Sequence, residues 1–191
     1  DVIRKAAFIA TLERVTPWLT AFEESQRMAL EADAGFRACE SLDGGKEGLK
    51  CARSIALISY RSEDGYNRTQ QEQDEDVIFA DRAGSYQRYQ GKKLADRFDA
   101  YSYWYLSYGV DSQNVGRGRG GVKAALGGIK ADVTVISIDS DVIFPSHAME
   151  DMAAMIPGAD YHMISSRFGH DGFLLEADSI TRLMTPVHES L

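Results

Sequence analysis

Apolar and polar positions change period several times along the chain. "VIRKAAFIAT" (Val2 to Thr11) is short and largely apolar, the pattern of a buried strand. From Pro17 to about Asp33 the apolar positions return at helical spacing, with Trp18, Phe22, Met28 and Leu30 among them. Pro17 suits a first helical turn and Thr16 suits its cap. "DGG" (Asp43 to Gly45) breaks the pattern, after which Leu49, Ala52, Ile55, Ala56 and Ser59 mark one face of a second helix. Arg61 to Asp81 is acidic and poor in apolar residues, so a long loop is expected there. Tyr86 to Arg97 and Tyr101 to Val110 read as two further helices, divided near Asp99. The second carries Tyr101, Tyr103, Trp104, Tyr105 and Tyr108, a stripe expected to serve packing or an interface rather than a ligand.

Near Asp132 the period changes again. "DVTVISI" (Asp132 to Ile138) is a β-branched run of the kind found in central parallel strands. "SHAMEDMAAMI" (Ser146 to Ile156) reads as a helix, "DYHMISS" (Asp160 to Ser166) as a strand, and Asp171 to Val187 as mainly helical. Strand, helices, then β-α-β-α is doubly wound α/β order with a helical insertion. The expected division is residues 1–11 in the sheet, 12–128 as helical insertion, and 129–191 as the rest of the sheet layer. Three strands make a small sheet for this architecture, and the chain opens without Met at a strand, so further strands are expected upstream. No internal repeat or low-complexity tract is present.

Composition narrows the picture. With 44% hydrophobic and 26% charged residues over 191 positions, the chain reads as globular with a sizeable core. No apolar run reaches the roughly 18 residues a membrane span needs, and the first residues do not have the shape of a secretory signal. The net charge of −8 disfavours a nucleic-acid partner, which needs a positive surface. Cys39 and Cys51 lack CxxC spacing and are expected to pack as small apolar residues, which fits a reducing cytoplasm.

Candidate chemistry gathers after the last two strands. Asp139 and Asp141 follow the first, in "IDSDVIFP" (Ile138 to Pro145). His170 follows the second, in "FGHDGF" (Phe168 to Phe173), where Gly169 permits a backbone angle that aims the next side chain into a cleft. In doubly wound sheets chemistry collects at strand carboxyl ends. Asp141 and His170 stand 29 residues apart at two successive strand ends, so hydrogen-bond reach is expected. They supply the acid and base of a nucleophile–His–acid triad in the chain order of α/β-hydrolases. The G-x-S-x-G elbow that such a triad needs does not occur in the 191 residues, for Ser or for Cys, and is expected upstream. "GRGRGG" (Gly116 to Gly121) has G-x-G-x-x-G spacing but follows an aromatic helix rather than a strand, so it reads as a tight loop; Arg117 and Arg119 remain able to meet a phosphate-bearing ligand. His147, His162 and His188 read as structural, and no cluster has metal-ligand spacing.

Five stretches together resemble the homoserine O-acetyltransferase family: "GLKCARSIALISYRS" (Gly48 to Ser62), "SYQRYQGKKLADRFDAYSYWYLS" (Ser85 to Ser107), "NVGRGRGG" (Asn114 to Gly121), "IDSDVIFP" and "FGHDGFLLE". They run in family order over nearly the whole chain and cover the family's C-terminal half. The resemblance implies the C-terminal part of an α/β-hydrolase fold, with the helical insertion as a lid that also makes a homodimer contact. It implies acetyl transfer from acetyl-CoA to the hydroxyl of L-homoserine, by a ping-pong acyl-enzyme route in methionine biosynthesis. Acetyl-CoA is then a co-substrate, and no bound cofactor is expected. Asp141 and His170 would be catalytic. Arg53, otherwise a charge on a helix face, would take the homoserine carboxylate, and Asp171, otherwise a helix cap, the ammonium. Tyr60, two turns beyond Arg53, would lie near the substrate. The alternatives are succinyl transfer, serine or another alcohol as acceptor, or an inactive lid and dimerisation fragment.

Overall fold

A computed structural model describes residues 2–38 and 41–188, with side chains as far as 184. The chain divides into two compact units, one of Asp1–Val15, Tyr60–Ser62 and Gln113–Leu191, the other of Thr16–Ser59 and Glu63–Ser112.

The first unit is built on three parallel strands in the order β1 (Lys5–Ile9), β2 (Asp132–Ile138), β3 (Asp160–Ile164). Phe8 pairs with Val135, and Val135 with Tyr161. β2 is the centre, and its residues from Val133 to Ile138 are all buried, as its β-branched run, interrupted only by Ser137, requires. Alternate side chains serve opposite faces. Val133 and Val135 pack with Leu12, Leu126 and the methionines Met149 and Met152 of α7 (Ser146–Ala154). Ile136 and Ile138 pack with Ala10, Ile164 and, from α9 (Ala177–His188), Ile180, Leu183 and Met184. The sheet is thus covered on both faces, the doubly wound arrangement.

Two expectations shift here, and a third holds. β1 is shorter than Val2–Thr11, because Val2 and Ile3 are exposed and unpaired in the register. The helical insertion is narrower than 12–128, because Leu12 and Leu126 belong to the core of the strand unit, as does the short helix α6 (Val122–Gly127). "GRGRGG" is the expected tight loop: Gly118, Gly120 and Gly121 have positive φ, and a Cβ on Gly116 would stand 2.3 Å from Val122 N.

The second unit holds four α-helices and one shorter one among the described residues. α1 (Pro17–Glu31) begins where Thr16 accepts the Leu19 N–H, and α2 (Lys46–Tyr60) follows the Gly45 turn. Leu30, Leu49 and Ala52 form a fully buried seam with Ala95 and Ala100. Gly48 lets α2 approach α1, since a Cβ there would lie 2.8 Å from the Ala29 carbonyl. Trp18 and Met28, which share the helical spacing of α1, are exposed instead. α4 (Arg82–Ala95) and α5 (Ala100–Asp111) match the expected pair, with Asp99 capping α5 through the Ser102 N–H at 2.8 Å. The Arg61 to Asp81 stretch is not wholly a loop: α3 (Glu63–Gln70) lies inside it. Two acidic residues in its first turn, an Asp64–Arg68 pair at 2.8 Å and Tyr66 packed edge-on against Tyr86 sustain this polar helix.

The buried guanidinium of Arg27 joins α1 to α5. It donates to Glu24 at 2.8 Å, Ser107 at 3.1 Å and Asp111 at 2.6 Å, and lies over the Tyr108 ring. Glu23 beside it is pushed up to about 7, first by burial and then by the Asp111 carboxylate, with Arg27 partly offsetting both. Cys51 is exposed rather than packed, because it sits on the outer side of α2, opposite Leu49 and Ala52. Cys39 lies outside the described residues. Among the described residues no helix is long and apolar enough to cross a membrane.

Candidate active site

The site is assembled by the two turns that leave β2 and β3. Asp139, Ser140 and Asp141 follow β2 directly. Asp139 Oδ1 accepts the Ser166 N–H at 3.0 Å. Ser140 Oγ donates to the Ser166 carbonyl and accepts the Gly169 N–H. The turn after β2 is therefore laced to the turn after β3 before either reaches its functional residue. Gly169, at φ +64°, reverses the chain into a short 3₁₀ turn, Gly169–Asp171, that presents His170.

His170 Nδ1 lies 2.8 Å from Asp141 Oδ2, so the expected hydrogen bond between the two strand ends is present. The Asp141 side chain is completely buried, and that of His170 is 18% exposed. The other carboxylate oxygen, Oδ1, accepts the backbone N–H groups of Ile143 at 2.7 Å and Phe144 at 3.0 Å. These two bonds fix the carboxylate plane and compensate its burial. In neutral imidazole the bond to Asp141 puts the proton on Nδ1 and leaves the Nε2 lone pair outward. Phe144, Phe173 and Tyr60 surround the ring, with centroids at 5.3, 5.0 and 6.0 Å. The arrangement can orient an imidazole, hold one tautomer and accept a proton at Nε2.

The other sequence candidates fall as follows. Tyr60, the last residue of α2, reaches His170. Asp171 stands next to His170 but makes no capping bond to α8 (Gly172–Leu175); its Oδ2 lies 3.1 Å from Arg61 Nε instead. That pair is within ion-pair distance and off the axis of a linear hydrogen bond. Arg53 is half-buried on α2, in the helical unit, two turns before Tyr60. His147 is exposed in the first turn of α7, and His162 in β3 pairs with Asp160 at 2.8 Å; the His188 side chain lies outside the described residues. No Ser, Thr or Cys side chain among the described residues hydrogen-bonds to His170. Among the described residues, no three His, Cys, Asp or Glu side chains converge on a metal position. Ser140, Ser166 and Arg61 were not sequence candidates: a serine in a turn carries no period and no motif that marks it.

Comparison with known proteins bears on what this site belongs to. No family model matches the chain. A homoserine O-acetyltransferase from Cyclobacterium marinum is 39% identical over 186 residues, covering 96% of this chain and 52% of that protein. One from Chlorobaculum parvum is 38% identical over 173 residues, covering 89% of this chain and 48% of that protein. The crystal structure of homoserine O-acetyltransferase from Staphylococcus aureus superposes with a TM-score of 0.71 at 28% identity, over 91% of this chain and 47% of that one. The chain spans about half the length of the curated relatives it matches. It belongs to the homoserine O-acetyltransferase family and carries part of that family's α/β-hydrolase fold.

Proposed function

We propose that the protein transfers an acetyl group from acetyl-CoA to the hydroxyl of L-homoserine, by way of an acyl-enzyme, in cytoplasmic methionine biosynthesis. The observation that carries the reading is the Asp141–His170 pair at adjacent strand ends, with Nδ1 bonded and Nε2 outward, in a chain of this family. The nucleophile is a serine in the part of the relatives' length that this chain does not span. His170 Nε2 takes the proton of that serine as its oxygen attacks the thioester carbonyl. The thiolate of CoA leaves as the carbonyl re-forms and is protonated by the imidazolium. In the second half-reaction Nε2 takes the proton of the homoserine hydroxyl, which attacks the acetyl ester, and the serine oxygen leaves with that proton. Asp141 holds the tautomer that makes each step possible and stabilises the imidazolium.

Arg53 binds the homoserine carboxylate with its planar fork, and Asp171 binds the ammonium with Tyr60 alongside. The helical unit is the lid and the contact of a homodimer. The test uses the complete gene product. Thiol release from acetyl-CoA should depend on L-homoserine and be lost in His170→Ala without loss of the folded state. L-Serine and succinyl-CoA, tried in place of the proposed substrates, separate the related acyl transfers. Absence of homoserine-dependent thiol release overturns the assignment, and an intact mass matching 191 residues alone, with no activity, favours an inactive fragment.

A further inference from the structure

His170 stands on a single 3₁₀ turn entered through a left-handed glycine. A turn of three residues has little rigidity of its own. On one side Asp139 and Ser140 lace it to the β2 end. On the other side lie Tyr60, Arg61 and Ser62, the tripeptide joining α2 to α3, which belongs to the same compact unit as β3 and His170. Ser62 is buried and its Oγ–H donates to the Arg167 carbonyl. A Cβ on Gly169 would stand 2.5 Å from Ser62 N and 2.6 Å from Arg61 C, so the two backbones meet with no room for a side chain. Arg61 Nε lies 3.1 Å from Asp171 Oδ2. Within the five residues from Arg167 to Asp171, the Tyr60–Ser62 strap therefore touches Arg167, two positions before the glycine hinge, the hinge itself and both residues that follow.

We infer that Arg61 and Ser62 are positioning residues, a clamp that holds the 167–171 loop so that His170 keeps Nδ1 on Asp141 while Nε2 faces the reacting atoms. Neither residue touches substrate in this role. Arg61 acts through Asp171 and Ser62 through the Arg167 carbonyl. The cost of losing the clamp follows from geometry: a misplacement of about 1 Å at a reacting group lowers the rate by about 100-fold. The inference rests on His170 being the base of the proposed reaction.

The experiment compares Ser62→Ala, Arg61→Met and Arg61→Lys in the complete gene product. Two readouts are taken: kcat and KM for both substrates, and deuterium uptake of peptides covering 165–171 against peptides from β2 and α7. Ser62→Ala should lower kcat about 10- to 100-fold with both KM values within about twofold; Arg61→Met should lower kcat likewise with the acetyl-CoA KM within about twofold, its homoserine KM being free to move because Asp171 is the proposed ammonium partner. Arg61→Lys, which keeps the cation, should recover to within about threefold of the parent. Uptake should rise in 165–171 alone. A rise in KM at constant kcat, unchanged uptake in 165–171, or uptake raised equally in β2 and α7 overturns the clamp. If the parent shows no homoserine-dependent thiol release, the acetyltransferase reading fails by itself and the exchange readout alone decides the clamp. If Ser62→Ala fails to fold, the two Arg61 variants carry the test.

Discussion

Asp141→Asn separates the orienting role of the acid from its place in the fold. The carboxylate uses its two oxygens differently. Oδ1 accepts two backbone N–H groups, at 2.7 and 3.0 Å, and Oδ2 accepts from His170 Nδ1. An asparagine at 141 has one acceptor and one donor end. Turning its NH₂ toward Ile143 and Phe144 would set donors against donors on two sites at once, so the carbonyl oxygen stays there. The NH₂ then faces Nδ1, which must accept, and the imidazole proton moves to Nε2. The lone pair that serves as base is gone. Restoring it means breaking the new bond and leaving a buried donor unmatched; the expected loss in kcat is about 10⁴-fold, or about 5.5 kcal/mol. Stability should change little, because volume is kept, both backbone bonds survive and a buried charge is removed; the three charge-assisted bonds that become neutral then leave a net cost of about 1–2 kcal/mol. Asp141→Ala is the contrast, since it strands two buried N–H groups and should lose several kcal/mol of stability, at about 1–3 for each orphaned donor. The assay is kcat for homoserine-dependent thiol release beside the denaturant midpoint of each variant. An Asp141→Asn protein within tenfold of the parent kcat refutes the tautomer argument. An Asp141→Asn protein as unstable as Asp141→Ala refutes the assignment of the carbonyl to the backbone pair.

Gly169→Ala places a side chain at φ +64° and against the Ser62 backbone; left-handed strain alone costs about 1–2 kcal/mol, so the denaturant midpoint and kcat should both fall, and a neutral result would mean the turn is not held as described. Arg53→Ala should raise the homoserine KM by about tenfold or more while the acetyl-CoA KM stays put, as expected for loss of a carboxylate partner; initial-rate kinetics decide it, and an unchanged homoserine KM removes Arg53 from the site. Glu23→Gln tests the buried cluster between α1 and α5. The folded-state value of about 7 lies above the ordinary 4.5, so the folded protein binds the extra proton and stability declines as pH rises between those values. The full gap corresponds to about 3 kcal/mol, and partial solvent access reduces it to about 1–2 kcal/mol. The glutamine variant should therefore gain that amount over the parent at pH 8 and nothing at pH 4, measured by chemical denaturation; a difference independent of pH contradicts the account.

What could be read in advance depended on whether the determinants of a feature are contiguous. β2 announces itself because burial on both faces favours a run rich in β-branched residues, and the positions of Asp141 and His170 follow from its carboxyl end and that of β3. Their hydrogen bond was legible for the same reason, since adjacent parallel strands leave little freedom in where their ends lie. α3 was not legible, because its stability comes from charges along one face and from Tyr66 on Tyr86, none of which changes the apolar period. The placement of Leu12 and Leu126 failed differently: each looks like part of a helical stretch, and only the closed core shows that it packs on β2.

Arg61 and Ser62 mark the limit more sharply. Ser62 bonds to a residue 105 positions away, and the contact between its backbone and Gly169 involves no side chain on either partner. Nothing in a window around "SYRSED" distinguishes those two residues from a solvated loop. What the sequence does carry is the glycine before His170, which states that the backbone must turn left-handed or come close to another chain segment. Here it does both: the φ of +64° aims His170, and the missing Cβ admits the strap. A glycine read only as a hinge would be satisfied by any residue tolerant of that angle. Asparagine tolerates the left-handed region better than alanine does, yet its Cβ would meet the same two backbone atoms. Gly169→Asn should therefore be no better tolerated than Gly169→Ala if close approach decides the position, and clearly better tolerated if the backbone angle alone decides it.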